Sequence, residues 1–244
     1  MRSVAHLFRH PIKGVGVEEV TETAVSAGRT LPWDRAYAVA HEAARLSDGW
    51  SPCANFVRGA KSPALMAVTA RVQGQHVALS HPDLAPIVID PMRDGDLLLE
   101  WLRPICNPNR AAPARLVPAG KDGMTDSPFP SIAILNLASL RALSQRVGRA
   151  LDPRRFRGNI WFDGGGPWEE FEWIGRRVAV GDVTFEVRER ITRCTATHAD
   201  PDSGRTDTDV LGTLEAGWGH QDFGVYAVAL SSGNVATGDE VRPA

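Results

Sequence analysis

Arg176-Arg177-Val178-Ala179-Val180-Gly181-Asp182-Val183-Thr184-Phe185-Glu186-Val187-Arg188-Glu189-Arg190 reads as two β-strands joined by a Gly-Asp turn. The two strands span 176–180 and 183–190. Similar short runs flank them, at 157–162 and 225–230, set off by Gly164-Gly165-Gly166-Pro167 and Ser231-Ser232-Gly233-Asn234. Short strands punctuated in this way imply a closed antiparallel sheet, since closure removes exposed edges. The fold class expected is mainly β with α+β additions.

Working back toward the start, residues 3–10 form a β-prone run ended by Pro11, and 36–41 another. Runs at 65–72 and 76–80 flank Gln73-Gly74-Gln75 as a hairpin, and 86–90 is a short strand before Pro91. Three helices are expected. In 94–103, Asp94 or Asp96 caps the start, Leu98, Trp101 and Leu102 share a face, and Pro104 stops the run. In 136–148, Leu137, Leu140, Leu143 and Val147 recur at helical period and Gly148 supplies the stop. In 208–218, Asp207 is the expected cap and Val210, Leu211, Leu214 and Trp218 form the stripe.

The chain has 244 residues and a formal net charge of −2, with no dense Lys/Arg run, which speaks against a nucleic-acid or membrane-surface partner. Any anionic ligand must therefore be gripped locally. Cys53, Cys106 and Cys194 are widely spaced and form no C-x-x-C pair, so they offer neither a disulfide framework nor a zinc or iron–sulfur ligand set. The sequence lacks a signal-type apolar segment and any run long enough to span a membrane, so the expected setting is cytoplasmic.

Cys194 is the most informative residue. It follows a β-branched run and precedes the turn Asp200-Pro201-Asp202-Ser203-Gly204, a placement that suits a soft-metal ligand or a nucleophile. Lys13 follows Pro11-Ile12 and precedes Gly14, so it is either a solvated turn lysine or an ammonium presented where backbone can approach a ligand. Asp34-Arg35 reads the same two ways. Arg157, in Arg154-Arg155-Phe156-Arg157-Gly158-Asn159, offers a guanidinium fork for phosphate or carboxylate, or simply surface charge. Thr125-Asp126-Ser127 supplies polar contacts or an Asx turn. The triple glycine lacks the helix start and Lys-Ser/Thr of a phosphate-binding loop, and the seven histidines show no zinc-hydrolase spacing.

Taken in order, Pro11-Ile12-Lys13-Gly14, Asp34-Arg35, Asp126-Ser127-Pro128-Phe129, Phe156-Arg157-Gly158-Asn159, Ile174-Gly175, Arg193-Cys194-Thr195, Asp200-Pro201-Asp202-Ser203-Gly204 and Phe223-Gly224-Val225-Tyr226 resemble the MOSC family, in particular its amidoxime-reducing branch and bacterial relatives. The resemblance covers essentially the whole chain. It implies a MOSC-type β-barrel, a smaller α+β subdomain, and a molybdenum-pyranopterin (the molybdenum cofactor) with Cys194 as the protein's metal ligand. It also implies cofactor contacts from Lys13, Gly14, Arg35, Asp126, Ser127, Arg157 and Asn159. Close relatives often carry serine where this chain has Gly14, so that contact would come from backbone.

For cationic residues this far apart to meet one cofactor, residues 1–38 must pack with the barrel at 115–244, leaving 39–114 as the α+β subdomain within an N-terminal region at 1–114. The resemblance implies reduction of small N-hydroxylated compounds. Cys194 would be the catalytic metal ligand and Asp200 a tuning residue. No ferredoxin-type cysteine cluster is appended, so electrons would come from an external donor protein of ferredoxin/flavin or cytochrome type. Two other functions stay open: a cofactor or persulfide carrier using Cys194, and a metal-free thiol enzyme pairing Cys194 with His198.

Overall fold

The Arg177–Val180 and Val183–Thr192 strands pair antiparallel across Gly181-Asp182, as the Gly-Asp turn predicts, in a computed structural model that describes residues 1–120 and 122–243. Val183, Phe185 and Val187 are buried, and Thr184 and Glu186 between them are not. From this hairpin an eight-stranded sheet runs in the order Val241–Pro243, Arg177–Val180, Val183–Thr192, Asp222–Ala229, Ile132–Asn136, Ile160–Asp163, Ser3–Arg9 and Glu18–Val20. It closes on itself. Ser3 bridges to Glu240, Val4 N donates to the Asp239 carbonyl at 2.8 Å, and Val241 N donates to the Arg2 carbonyl at 2.9 Å. The closed sheet surrounds one apolar cluster that includes Leu7, Ile134, Phe162, Phe185 and Val225.

The α-helices among the described residues are α1 (Gly95–Leu102), α2 (Leu137–Val147) and α3 (Val210–Trp218). One strand pair departs from the expected antiparallel barrel: Ile132–Asn136 runs parallel to Ile160–Asp163. A parallel pair needs a crossover, and α2 lies in it, capped by Asn136 accepting from Ala138 N and stopped by Gly148 at φ 84°. The cap of α3 also differs from expectation. Asp209, not Asp207, accepts from Gly212 N, because Asp207 is held by Arg149 and Arg155.

A second layer lies before the barrel strands. Thr69–Gln73, His76–His81 and Leu84–Ile89 form an antiparallel meander, and Trp101 of α1 donates from Nε1 to the Ala85 carbonyl at 2.7 Å. The strand expected over 65–72 starts later, at Thr69. Pro63–Ala67 forms a 3-10 turn instead, led by the fixed φ of its proline, and buries Leu65 and Met66. A third sheet joins Ile12–Lys13 to Tyr37–His41 and Pro113–Pro118. The first residues therefore enter three sheets in turn: Ser3–Arg9 and Glu18–Val20 in the barrel sheet, Ile12–Lys13 here, and Glu22–Val25 beside Gly233–Ala236.

Glu170 is fully buried against the start of α2, accepting from Asn136 Nδ2 at 2.9 Å and Ser139 Oγ at 3.0 Å. Burial outweighs these bonds and pushes its carboxyl up to about 7. Between the ordinary carboxylate range and that value the folded chain keeps a proton the unfolded chain has lost, so stability falls as pH rises through this window. Glu170→Gln is expected to raise Tm at pH 8 by about 2–4 °C for each ~1 kcal/mol relieved and to give no gain near pH 4.5. Thermal melts at the two pH values check this.

A cationic cleft around Cys194

Lys13 is buried, and its Nζ donates to the Met124 carbonyl at 2.9 Å, the Thr125 carbonyl at 3.0 Å and Asp126 Oδ1 at 2.5 Å. Burial lowers the ammonium's pKa against the pull of Asp126. The Asp126 carboxyl, which burial alone would raise, is held below the ordinary range by Lys13 and Arg35. Gly14 follows at φ +75°, and a Cβ there would meet the Val57 carbonyl oxygen at 2.6 Å and Arg58 Cα at 3.0 Å. Serine cannot fit without moving that segment. Gly14→Ser is expected to lose about 1–3 kcal/mol from crowding and left-handed strain, read as a lower urea midpoint.

Asp34 is the buried hub of the next group. It accepts from His10 N at 2.8 Å and His10 Nδ1 at 3.2 Å, and it pairs with Arg35. Burial, aided by Arg157, drops the His10 pKa to about 3, so the ring is neutral. Its one proton sits on Nδ1 facing Asp34, and Nε2 is left without a partner. Arg35 and Arg157 both hold left-handed backbone, at φ 53° and 47°, and Arg35 Nη2 donates to the Arg157 carbonyl at 3.1 Å. Arg157 follows the 3-10 turn Pro153–Phe156 and does not lie in a strand. Its Nη2 is buried with no hydrogen-bond partner, and burial together with Arg35 lowers its pKa to about 9.

The strand expected to deliver Cys194 ends at Thr192, and Cys194 opens the 3-10 turn Thr195–His198 with its side chain exposed. Arg193 fixes the approach. It donates from Nε to the Phe223 carbonyl at 2.8 Å and from Nη1 to the Phe156 carbonyl at 2.9 Å, and burial lowers its pKa to about 10. Thr197 holds the Cys194 carbonyl from N at 3.2 Å and from Oγ1 at 3.0 Å.

These elements enclose a cleft of about 480 Å³ lined by Lys13, Gly14, Arg35, Asp126, Arg157 and Cys194. Arg58, Arg155, Arg190 and Arg193 bring the lining cations to seven, against the carboxylates of Asp126 and Glu189. A chain of net charge −2 thus concentrates positive charge at one site, the electrostatic signature of an anion-binding cleft.

Three expected site residues line none of it. Ser127 Oγ donates to Ser131 Oγ at 2.7 Å within its own turn. Asn159 staples strands: its Oδ1 accepts from Ala133 N at 3.0 Å and its Nδ2 donates to the Phe8 carbonyl at 3.1 Å. Asp200 accepts from Ser203 N at 2.9 Å and Asp202 N at 3.1 Å and lies 3.4 Å from Arg155, so it shapes its turn. His198 accepts from Leu211 N at 3.2 Å and makes no hydrogen bond to Cys194 among the described residues.

Arg58, Arg155, Arg193 and Tyr226 also line the cleft, although no site role was expected of them from sequence. Arg193 beside Cys194 and Arg155 beside Arg157 were open to notice from adjacency alone, whereas Arg58 is brought in by tertiary packing.

A family profile of the MOSC N-terminal beta barrel domain matches residues 1–97, and one of the MOSC domain matches residues 124–242. The chain belongs to the MOSC family. Over 98% of its length this MOSC protein is 26% identical to mitochondrial amidoxime-reducing component 1 of Mus musculus, of which it covers 81%. It is 28% identical to a molybdenum cofactor sulfurase of Caenorhabditis briggsae over 54% of this chain and 19% of that one. It also resembles the solved YUAD protein from Bacillus subtilis, at a TM-score of 0.49 and 11% identity, covering all of this chain and 96% of that one. It is therefore a molybdenum-cofactor-related MOSC protein.

Proposed function

We propose that the cleft holds a molybdenum-pyranopterin and that the protein reduces N-hydroxylated compounds with electrons from a separate donor protein. One observation carries this reading: an exposed thiol opens onto a cleft whose cations include the buried, unpartnered Arg157 Nη2. An orphaned guanidinium nitrogen calls for a ligand oxygen, and the phosphate of such a cofactor supplies one. Among the described residues no three His, Cys, Asp or Glu side chains converge as a metal cage. A metal that brings sulfur ligands of its own needs only one more from the chain, and Cys194 is a soft thiolate donor.

When bound, the cofactor supplies two-electron oxygen-atom chemistry at molybdenum. The chain supplies everything around it. Arg157 and Arg35 would hold the phosphate end and Cys194 the metal end, while Arg193, tied to two backbone carbonyls, keeps the Cys194 backbone from drifting. Tyr226, whose phenol burial pushes up, stays a neutral O–H lining the cleft. Asp126, held low by Lys13, is a carboxylate at neutral pH and no acid, so protons come from solvent. An electron pair and two protons convert the substrate N–OH to N–H and release water.

Protein expressed with ample molybdenum should contain metal and releasable pterin and should reduce benzamidoxime to benzamidine with a low-potential chemical donor. Protein devoid of both would refute the proposal. The exposed thiol and the sulfurase likeness favour one alternative, a persulfide carrier. Labile sulfane sulfur on Cys194 with no benzamidoxime reduction would select it.

A further inference from the structure

One wall of the cleft comes from the segment carrying Cys53, Arg58, Gly59 and Ala60. It is pinned against the thiol's own loop, with Thr195 Oγ1 donating to the Ala60 carbonyl at 3.2 Å, and a Cβ on Gly59 would lie 3.4 Å from Ala196 Cβ. Its other side rests on Gly14, where a Cβ would stand 3.0 Å from Arg58 Cα. Two glycines thus allow the close approach that sets Arg58 in the cleft wall beside the Cys194 turn.

Arg58 and Arg157 differ from the other lining cations, and Arg157 stands on a separate segment. Lys13 is matched by Asp126, Arg35 by Asp34, Arg155 by Asp207 and Arg190 by Asp222, and Arg193 is spent on backbone carbonyls. Among the described residues Arg58 has no carboxylate partner. Among the described residues its side chain makes one hydrogen bond, from Nη1 to Cys53 Sγ at 2.7 Å, which leaves Nε and Nη2 for a ligand. A lone guanidinium fork matches a carboxylate in charge and shape, whereas a phosphate dianion would call for a second free cation on this wall.

We infer that Arg58 is a specificity residue that selects substrates carrying a carboxylate. The inference rests on the reading of the cleft as a reductase site and goes further by naming the substrate class. The acid group pairs with Arg58 on the wall beside Cys194, so the reducible N–OH is held at the thiol's end of the cleft, away from the Arg35 and Arg157 pair.

The test compares 4-carboxybenzamidoxime with uncharged benzamidoxime on the purified holoprotein, by calorimetric binding and by steady-state reduction. Wild type should bind the carboxylated compound roughly tenfold to a hundredfold more tightly. In Arg58→Gln the preference should collapse to within about twofold, seen in turnover as a raised KM for the carboxylated compound with kcat retained, while Arg58→Lys keeps part of it. Pterin and molybdenum contents should match wild type in both variants.

Equal affinity for the two compounds in wild type, or a preference that survives in Arg58→Gln, would overturn the inference and leave the reductase reading intact. Loss of pterin from Arg58→Gln would overturn it too, by making Arg58 a cofactor contact. Wild-type protein without molybdenum or pterin would instead sink the reductase reading, while the heat of carboxylate binding still judges Arg58.

Discussion

Cys194→Ser is expected to fold as wild type, keep its pterin, lose its molybdenum and reduce benzamidoxime at least ~10²-fold more slowly, beyond what losing a supporting contact brings. The fold survives because the side chain is exposed and sits at the head of a short turn held by its carbonyl, not its sulfur. Pterin is expected to stay because the anchors proposed for it, Arg35 and Arg157, stand on other segments. Cys53→Ser and Cys106→Ser serve as controls that keep the metal. Metal analysis beside pterin fluorescence separates the two losses, and wild-type molybdenum in Cys194→Ser would end the ligand assignment.

Asp34→Ala should have the largest effect on stability, about 3–5 kcal/mol, with cofactor content falling alongside. Among the described residues the carboxylate is the ion-pair partner of two buried neighbours, His10 and Arg35, and its removal leaves Arg35 and Arg157 facing each other with Asp126 as the nearby carboxylate. For a chain of this length the loss corresponds to a Tm lower by roughly 10 °C.

The same cluster makes the fold acid-labile. The unfolded His10 takes a proton below about 6.5 while the folded ring resists to about 3. Arg35 and His10 outweigh burial and hold Asp34 below the ordinary carboxylate range. Both contributions are present near neutrality and fall away as pH drops. Glu170 acts in the opposite sense over much of that window, so urea titrations of Glu170→Gln should show the His10 slope more steeply than wild type.

What could be read beforehand divides along physical lines. The hairpin over 176–190 was legible because a Gly-Asp turn divides two valine-bearing runs. Ile132–Asn136 was not, because a strand buried on both faces carries no alternation, and Pro113–Pro118 was hidden by a proline at either end. In the site, Lys13, Arg35, Arg157 and Cys194 stood out by residue type and order, and they line one cleft.

Ser127 and Asn159, placed at the cofactor by the family resemblance, and Asp200 spend the hydrogen bonds seen here on nearby backbone and turns. Arg58 was invisible for another reason. Its position depends on which glycines let two distant segments touch, and that is a property of packing.

Barrel closure has a temporal corollary. Ser3 and Val4 meet residues 239 and 240, so the ring that backs the cleft cannot shut until those residues have left the ribosome. Lys13 and Arg35 emerge from the ribosome long before Arg157 and Cys194, and in the interval they face solvent with no receptor to form. A cofactor that needs the closed ring must therefore arrive after residues 239–241 have emerged and met the first strand.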